Sequence, residues 1–207
     1  SGNMEVVNNQ QTFSQIRRIL NNHSTLLDAY GLLEPIILEL FGAQRMSIFQ
    51  RRRQHQDLVA RFKTGKETQE IKVPISPMSI AGYVALSQKP VVIDDPYNTT
   101  MLQSIHPRLR FAGKFDKDSD FKTLNILCVP IMNAGVLMGV IQIINKVESA
   151  FSEDDLKLGN ALALILGDKF RFELGGTNNP FDLLVHKSLI DENTLEEIKL
   201  STPDIRA

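Results

Sequence analysis

The sequence predicts an α+β fold: an antiparallel sheet of five or six strands, with helices on one face and a helix plus a long loop on the other. Three observations carry this. The stretches "NILCVPIM" (125–132) and "VLMGVIQIIN" (136–145) read as strands that are apolar on both faces, so both faces must be covered. The "NAG" between them is a hairpin signal. Helical periodicity is confined to the two ends and one short middle stretch, the order of a layered α+β domain rather than of alternating βαβ units.

Taken in order, Phe13, Ile16 and Leu20 recur at helical spacing and predict a helix over 11–22. Ser24 is a candidate cap for a second helix running towards Phe41, in which Pro35 either kinks the helix or marks a restart. Strands follow at 46–50, 57–63 and 70–73; "RRRQHQ" (51–56) forms the first hairpin tip and "TGKET" the second. Pro74 and Pro77 end the third strand. Residues 79–88 read as a short helix capped by Ser79, and "PVVID" (90–94) as a fourth strand. The 95–122 stretch shows no clear period, and a loop of that length inside a compact domain is usually functional or mobile. After the two apolar strands, Ser152 caps a long helix, 153–173, and "GGTNN" ends it. The expected organisation is a scar-like start and helix at 1–23, a domain at 24–173, a linker at 174–180 and a helical appendix at 181–207.

The bulk numbers exclude several classes. Basic and acidic residues nearly cancel, 23 against 24, so nothing calls for nucleic acid or an anionic membrane as partner. No apolar run reaches the roughly 18 residues of a spanning helix, so membrane insertion is not expected. Cys128 is the single cysteine, which excludes an internal disulfide and fits a cytoplasmic location. It lies within an apolar strand and reads as inert core. His23, His55, His106 and His186 are scattered without metal-ligand spacing, so no metal site is expected. No nucleophile–base or carboxylate pair is placed for reaction, so no catalytic residues are assigned and an enzyme is not expected. Arg51–Arg53 either meet phosphate or form a solvated edge that discourages strand pairing.

Five stretches occur in an order that resembles the GAF domain, most closely those of cyclic nucleotide phosphodiesterases and adenylyl cyclases: "RMSIF", "VPISPMSIAGYVALSQKPVVIDD", "FKTLNILCVPI", "GVIQIINK" and "FSEDD". The resemblance covers residues 24–173. It implies a sensory module that binds a small ligand, with a cyclic nucleotide as one candidate, and relays occupancy to an attached output; the alternative is a ligand-free dimerisation module. The family signature of Asn-Lys, Phe, three residues and Asp-Glu is matched by Asn145, Lys146, Phe151 and Asp155, with Leu156 in place of the Glu. By resemblance, Lys146 and Asp155 form a latch between strand end and helix start; the plain alternative is a surface ion pair.

The same resemblance implies a pocket between the sheet and the 95–122 stretch. Ser47 would face a base, Phe62 would stack on it, and Ala81 would offer its backbone amide to a phosphate. Asp116, Ser119, Thr123 and Gln142 would complete the lining. Phe62 reads equally as core, and Ser47 as a group that only satisfies backbone. Lys63 stands where an acid that reads the purine is common, Leu124 where arginine is common, and Gln142 where Glu is frequent, so these departures leave nucleotide selectivity open.

The tail, 179–200, resembles the start of the N-terminal domain of type II secretion and type IV pilus assembly ATPases, and reads equally as any amphipathic helix pair. The resemblance would add secretion or pilus machinery as a partner. Its lead residues are replaced by Pro180-Phe181-Asp182, so a cyclic-di-GMP site is not implied. Finally, Leu158, Leu162, Ile165 and Phe172 form a second apolar stripe on the 153–173 helix. A homodimer through the N-terminal and closing helices is expected to cover it; the alternative cover is the 11–22 helix of the same chain.

Overall fold

The computed structural model describes residues 2–111 and 120–175. The expected appendix at 181–207, with its likeness to the secretion and pilus ATPases, lies outside the described residues. So do Asp116 and Ser119. The elements are α1 (Gly2–Asn21), α2 (Leu26–Phe41), β1 (Ala43–Arg51), β2 (Asp57–Thr64), β3 (Glu67–Pro74), α3 (Ile80–Ser87), β4 (Val91–Ile93), α4 (Thr99–Ile105), β5 (Ile126–Asn133), β6 (Val136–Lys146) and α5 (Glu153–Gly175). The strands form one antiparallel sheet in the order β3-β2-β1-β6-β5-β4.

Two apolar clusters flank this sheet, as its doubly apolar central strands require. On one face Ile16 and Leu20 of α1, Leu33 and Ile37 of α2, and Leu162 and Phe170 of α5 pack against Met46, Ile48, Val129 and Ile141. On the other face Val84 of α3 and Leu102 of α4 pack against Phe49, Ile126, Cys128 and Val140. Alternate strand residues supply the two clusters, the period of two that a sheet imposes. Two bare backbone contacts set the spacing of the layers. A Cβ on Gly167 would stand 2.3 Å from Met132 O, and one on Gly82 would stand 2.3 Å from Pro74 O. A side chain at either site would push α5 or α3 off the sheet.

Several expectations change. The first helix begins at Gly2 rather than at residue 11, because residues 2–8 are exposed and carry no core-facing period to announce them. Thr25, not Ser24, caps α2: its side chain accepts the Asp28 N–H. Pro35 neither restarts nor ends α2, which runs continuously past it. The carbonyl that Pro35 deprives of a donor is that of Gly31. Within 95–122, α4 forms at 99–105, capped by Asn98, whose side chain accepts the Met101 N–H. The β5–β6 turn has positive φ at both Ala134 (49°) and Gly135 (78°), the twist-matched form of a two-residue hairpin. Two residues of the second α5 stripe are covered within the chain. Leu162 and Ile165 are buried in the cluster that contains Ile16 and Leu20 of α1. Among the described residues, no helix is long and apolar enough to cross a membrane.

Candidate functional site

Ser47 pairs with Gln142, and Gln142 with Cys128, so the three form one row across β1, β6 and β5. Directly opposed residues share a face. Cys128 fixes which face, because it packs in the α3–α4 cluster. Full burial pushes the Cys128 thiol well above its usual range, so it stays neutral and chemically quiet.

The sheet is not continuous beside this row. β1 and β2 pair only at Gln50↔Val59 and Arg51↔Leu58, next to their hairpin. Beyond that, β1 stays with β6 down to Ala43, and β2 stays with β3 to Thr64. The ladder opens into a cleft of about 660 Å³, lined by Ser47 and Arg45 from β1, Phe62 and Lys63 from β2, and Tyr30 and Glu34 from α2. An unpaired strand edge leaves backbone groups without partners. Tyr30 meets one of them, its hydroxyl donating to Met46 O at 3.0 Å. Burial, with the Glu34 carboxylate second, raises the Tyr30 hydroxyl pKa and keeps it a donor.

Ser47 and Phe62 therefore line one cleft, and Gln142 lies beside Ser47. Ala81 and Thr123 are buried and do not line it. Ala81 sits in the first turn of α3, where the Ser79 side chain accepts the Gly82 N–H at 3.0 Å. Lys63 follows Phe62 in the strand, so it points to the opposite face, where it meets Asp28 of α2 at 3.2 Å. Leu124 is half exposed, at 54%. Ser47 and Phe62 lie on the α3–α4 face of this cleft, the side of the 95–122 stretch that the resemblance names, and Tyr30, Glu34 and Lys63 reach it from the α2 side. Sequence reasoning missed Tyr30, and also Arg45, whose guanidinium sits 3.5 Å above the centre of the Phe121 ring. The residues of each pair lie far apart in the chain, with no local pattern to join them.

A second constellation lies where β6 meets α5. Asn145 has φ 63°, a left-handed conformation that asparagine tolerates better than most residues. Its side chain accepts the Leu124 N–H at 2.6 Å and donates to Lys122 O at 2.8 Å and to Gln44 Oε1 at 3.1 Å. It thus ties the end of the 95–124 segment to the sheet. Asn125 returns the bond, its Oδ1 accepting the Lys146 N–H at 2.8 Å. Lys146 Nζ then reaches both carboxylate oxygens of Asp155 at 2.7 Å. Asp155 is 4% exposed and also accepts the Ser152 N–H at 2.8 Å, while its own N–H donates to Ser152 Oγ at 3.2 Å. That reciprocal pair is a capping box with Asp in place of Glu. Phe151, between the two halves, is buried in the helix-side core.

Comparison with known proteins gives one consistent picture. The family model for the GAF domain matches residues 33–168. The chain is 39% identical over 92 residues to the dual 3',5'-cyclic-AMP and -GMP phosphodiesterase 11A of Takifugu rubripes, an alignment of 43% of this chain and 9% of that protein. It is 26% identical over 139 residues to the probable 3',5'-cyclic phosphodiesterase pde-5 of Caenorhabditis elegans, covering 63% of this chain and 18% of that protein. The chain thus spans less than a fifth of the length of these relatives. Among solved structures, the GAF domain of an Acinetobacter phosphoenolpyruvate-protein phosphotransferase superposes with a TM-score of 0.63 at 17% identity, over 82% of this chain and 97% of that one. The free methionine-R-sulfoxide reductase of Neisseria meningitidis superposes with a TM-score of 0.60 at 17% identity, over 81% of this chain and 91% of that one.

Proposed function

Because the chain belongs to the GAF domain family, we propose that it is a non-catalytic regulatory module that takes a small ligand at the β1–β2 opening and relays occupancy to an attached output. One observation carries the reading. Ser47 and Phe62, assigned to a ligand by resemblance, line the same cleft although they sit on strands that have stopped pairing. An aromatic face beside unpaired backbone suits a planar heterocycle, which stacks on the ring and hydrogen-bonds at its edge. The phosphodiesterase relatives make a cyclic nucleotide the first candidate. Position 63, next to Phe62 in the strand, holds a lysine paired with Asp28 rather than an acid that would select one purine over the other. The buried, neutral Cys128 thiol favours a binding role over thiol chemistry. The junction at Asn145 and Lys146 supplies a route for relay, since it joins the end of the 95–124 segment to the start of α5.

Calorimetric titration with cyclic AMP and cyclic GMP tests this. At least one should bind, and Phe62→Ala should weaken it at least tenfold. No heat from either at millimolar concentration rejects a cyclic nucleotide.

The second reading, a ligand-free dimerisation module, is favoured by the N-terminal half of α1, which exposes Met4, Val6 and Val7. Helix segments of that length are marginal without packing. Light scattering at micromolar concentration should then give twice the 23.3 kDa chain mass, reverting to one chain in Val7→Glu.

A further inference from the structure

Arg45 and Ser47 alternate with Met46 on β1, so they share a face of the sheet. Arg45 opposes Ile144, and Ile144 opposes Ile126 of the α3–α4 cluster, so that face is also the one from which Phe62 enters the cleft. The hairpin register fixes the order along the opening. Gln50 opposes Val59 and Arg51 opposes Leu58, so continued pairing would have set Ser47 against Phe62 and Arg45 against Thr64. Arg45 therefore stands beyond the Ser47–Phe62 pair, away from the hairpin, about 7 Å further along the strand.

The cations that line this cleft are unevenly committed. Arg61 is held by Glu70 at 2.8 Å and Lys63 by Asp28 at 3.2 Å. Both stand on the opposite face of β2 from Phe62. Arg45 is exposed, and among the described residues no acceptor meets its guanidinium. It is instead stacked on Phe121, 3.5 Å above the ring centre. Stacking uses the π-face of a guanidinium and leaves its in-plane N–H donors for another partner. It also restrains the side chain, so less freedom is lost when an anion arrives. The carboxylates of the lining, Asp28 and Glu34, both come from α2. Asp28 is taken by Lys63, and Glu34 lies beside the Tyr30 hydroxyl. The group that likeness offered to a phosphate, the Ala81 amide, belongs to a buried residue outside the lining.

We propose that Arg45 is the anion-reading residue of this cleft, which takes a planar heterocycle carrying a phosphate-type negative group. The inference rests on the ligand role proposed for the cleft and adds the charge of the ligand. The ring stacks on Phe62 with its edge at Ser47, and the anion meets the guanidinium fork, whose donors match its oxygens in geometry and charge. A neutral ligand leaves that fork unanswered, so the cleft discriminates by charge.

Matched probes with and without the anion test this, each titrated into the whole chain at constant ionic strength. The pairs are cyclic AMP with adenosine, cyclic GMP with guanosine, and anilinonaphthalenesulfonate with phenylnaphthylamine. In every pair whose binding depends on Phe62, read with Phe62→Ala, the anionic member should bind at least tenfold tighter. Arg45→Gln should remove that preference and leave the neutral member within threefold of the parent. A preference that survives Arg45→Gln overturns the proposal. So does a variant that weakens both members alike, which would make Arg45 only a clamp for Phe121. Failure of both cyclic nucleotides rejects them as ligands, and the sulfonate pair then decides on Arg45 alone. No Phe62-dependent preference for the anion in any pair overturns the proposal. Arg45→Met, which keeps the stem over Phe121, takes the place of the glutamine variant should that not fold.

Discussion

At the β6–α5 junction, Asn145, Lys146, Ser152 and Asp155 satisfy one another and the end of the neighbouring loop within a dozen residues of chain. Along the β1–β2 opening the reverse holds. β1 keeps β6 on one side and leaves its other edge to a cleft, with Tyr30 of α2 answering one carbonyl. The junction saturates its polar groups and buries its carboxylate, as a part that holds shape must. The opening leaves backbone edges and an aromatic ring facing space, as a part that receives something must. Loss of a group should therefore cost stability at the junction and affinity at the opening.

The largest effect is expected at Asp155. Removing its carboxylate strands a partly buried ammonium and dismantles the capping box together. Asp155→Ala should cost about 3 kcal/mol in urea denaturation, with an unchanged slope. Lys146→Met leaves Asp155 its Ser152 bonds and should cost less, about 1–2 kcal/mol. A loss under about 1 kcal/mol for Asp155→Ala would place the junction among ordinary surface ion pairs and erase the contrast.

Asn145 sharpens the same side of the comparison, because its backbone and side chain can be separated. Asn145→Ala loses the hydrogen bonds to Leu124 and Lys122 and must hold a left-handed φ; it should cost about 2–3 kcal/mol. Asn145→Gly loses the same bonds but accepts the φ, and should recover about 1 kcal/mol of that. Two variants of equal stability would mean that the backbone conformation contributes nothing.

The contrast also explains what could be read from the chain. The junction is a contiguous motif. Asn145, Lys146, Phe151 and Asp155 sit at the fixed spacing of a family signature, so the ion pair could be anticipated through that likeness. The two-faced apolar strands likewise forced a covered sheet. Tyr30 and Arg45 left no such trace. Each acts on a partner brought close only by the fold: Phe121 from the segment before β5, and Met46 through the placement of α2. The first turns of α1 were silent for another reason: they bury nothing, and hydrophobic period reports only buried faces. Ser47 and Phe62 were identified through likeness to a family. Neither spacing nor composition reveals that the ladder opens between them, because that depends on where β1 stops pairing.

The smallest stability effect is expected on the other side of the comparison, at Phe62. The ring is half-buried beside a cleft and lies outside both apolar core clusters. Its neighbour in the ladder is Gln69 of the exposed edge strand β3, so truncation opens no sealed cavity. Phe62→Ala should cost under about 1 kcal/mol, well below the usual 3–5 for a core phenylalanine. Its loss should instead fall on the ligand. Thermal denaturation with and without saturating ligand reads both at once. The ligand-free midpoint should barely move, and the ligand-induced rise should collapse. A large fall in the ligand-free midpoint would make Phe62 a core residue. The opening would then be a defect in the ladder, not a place prepared for a guest.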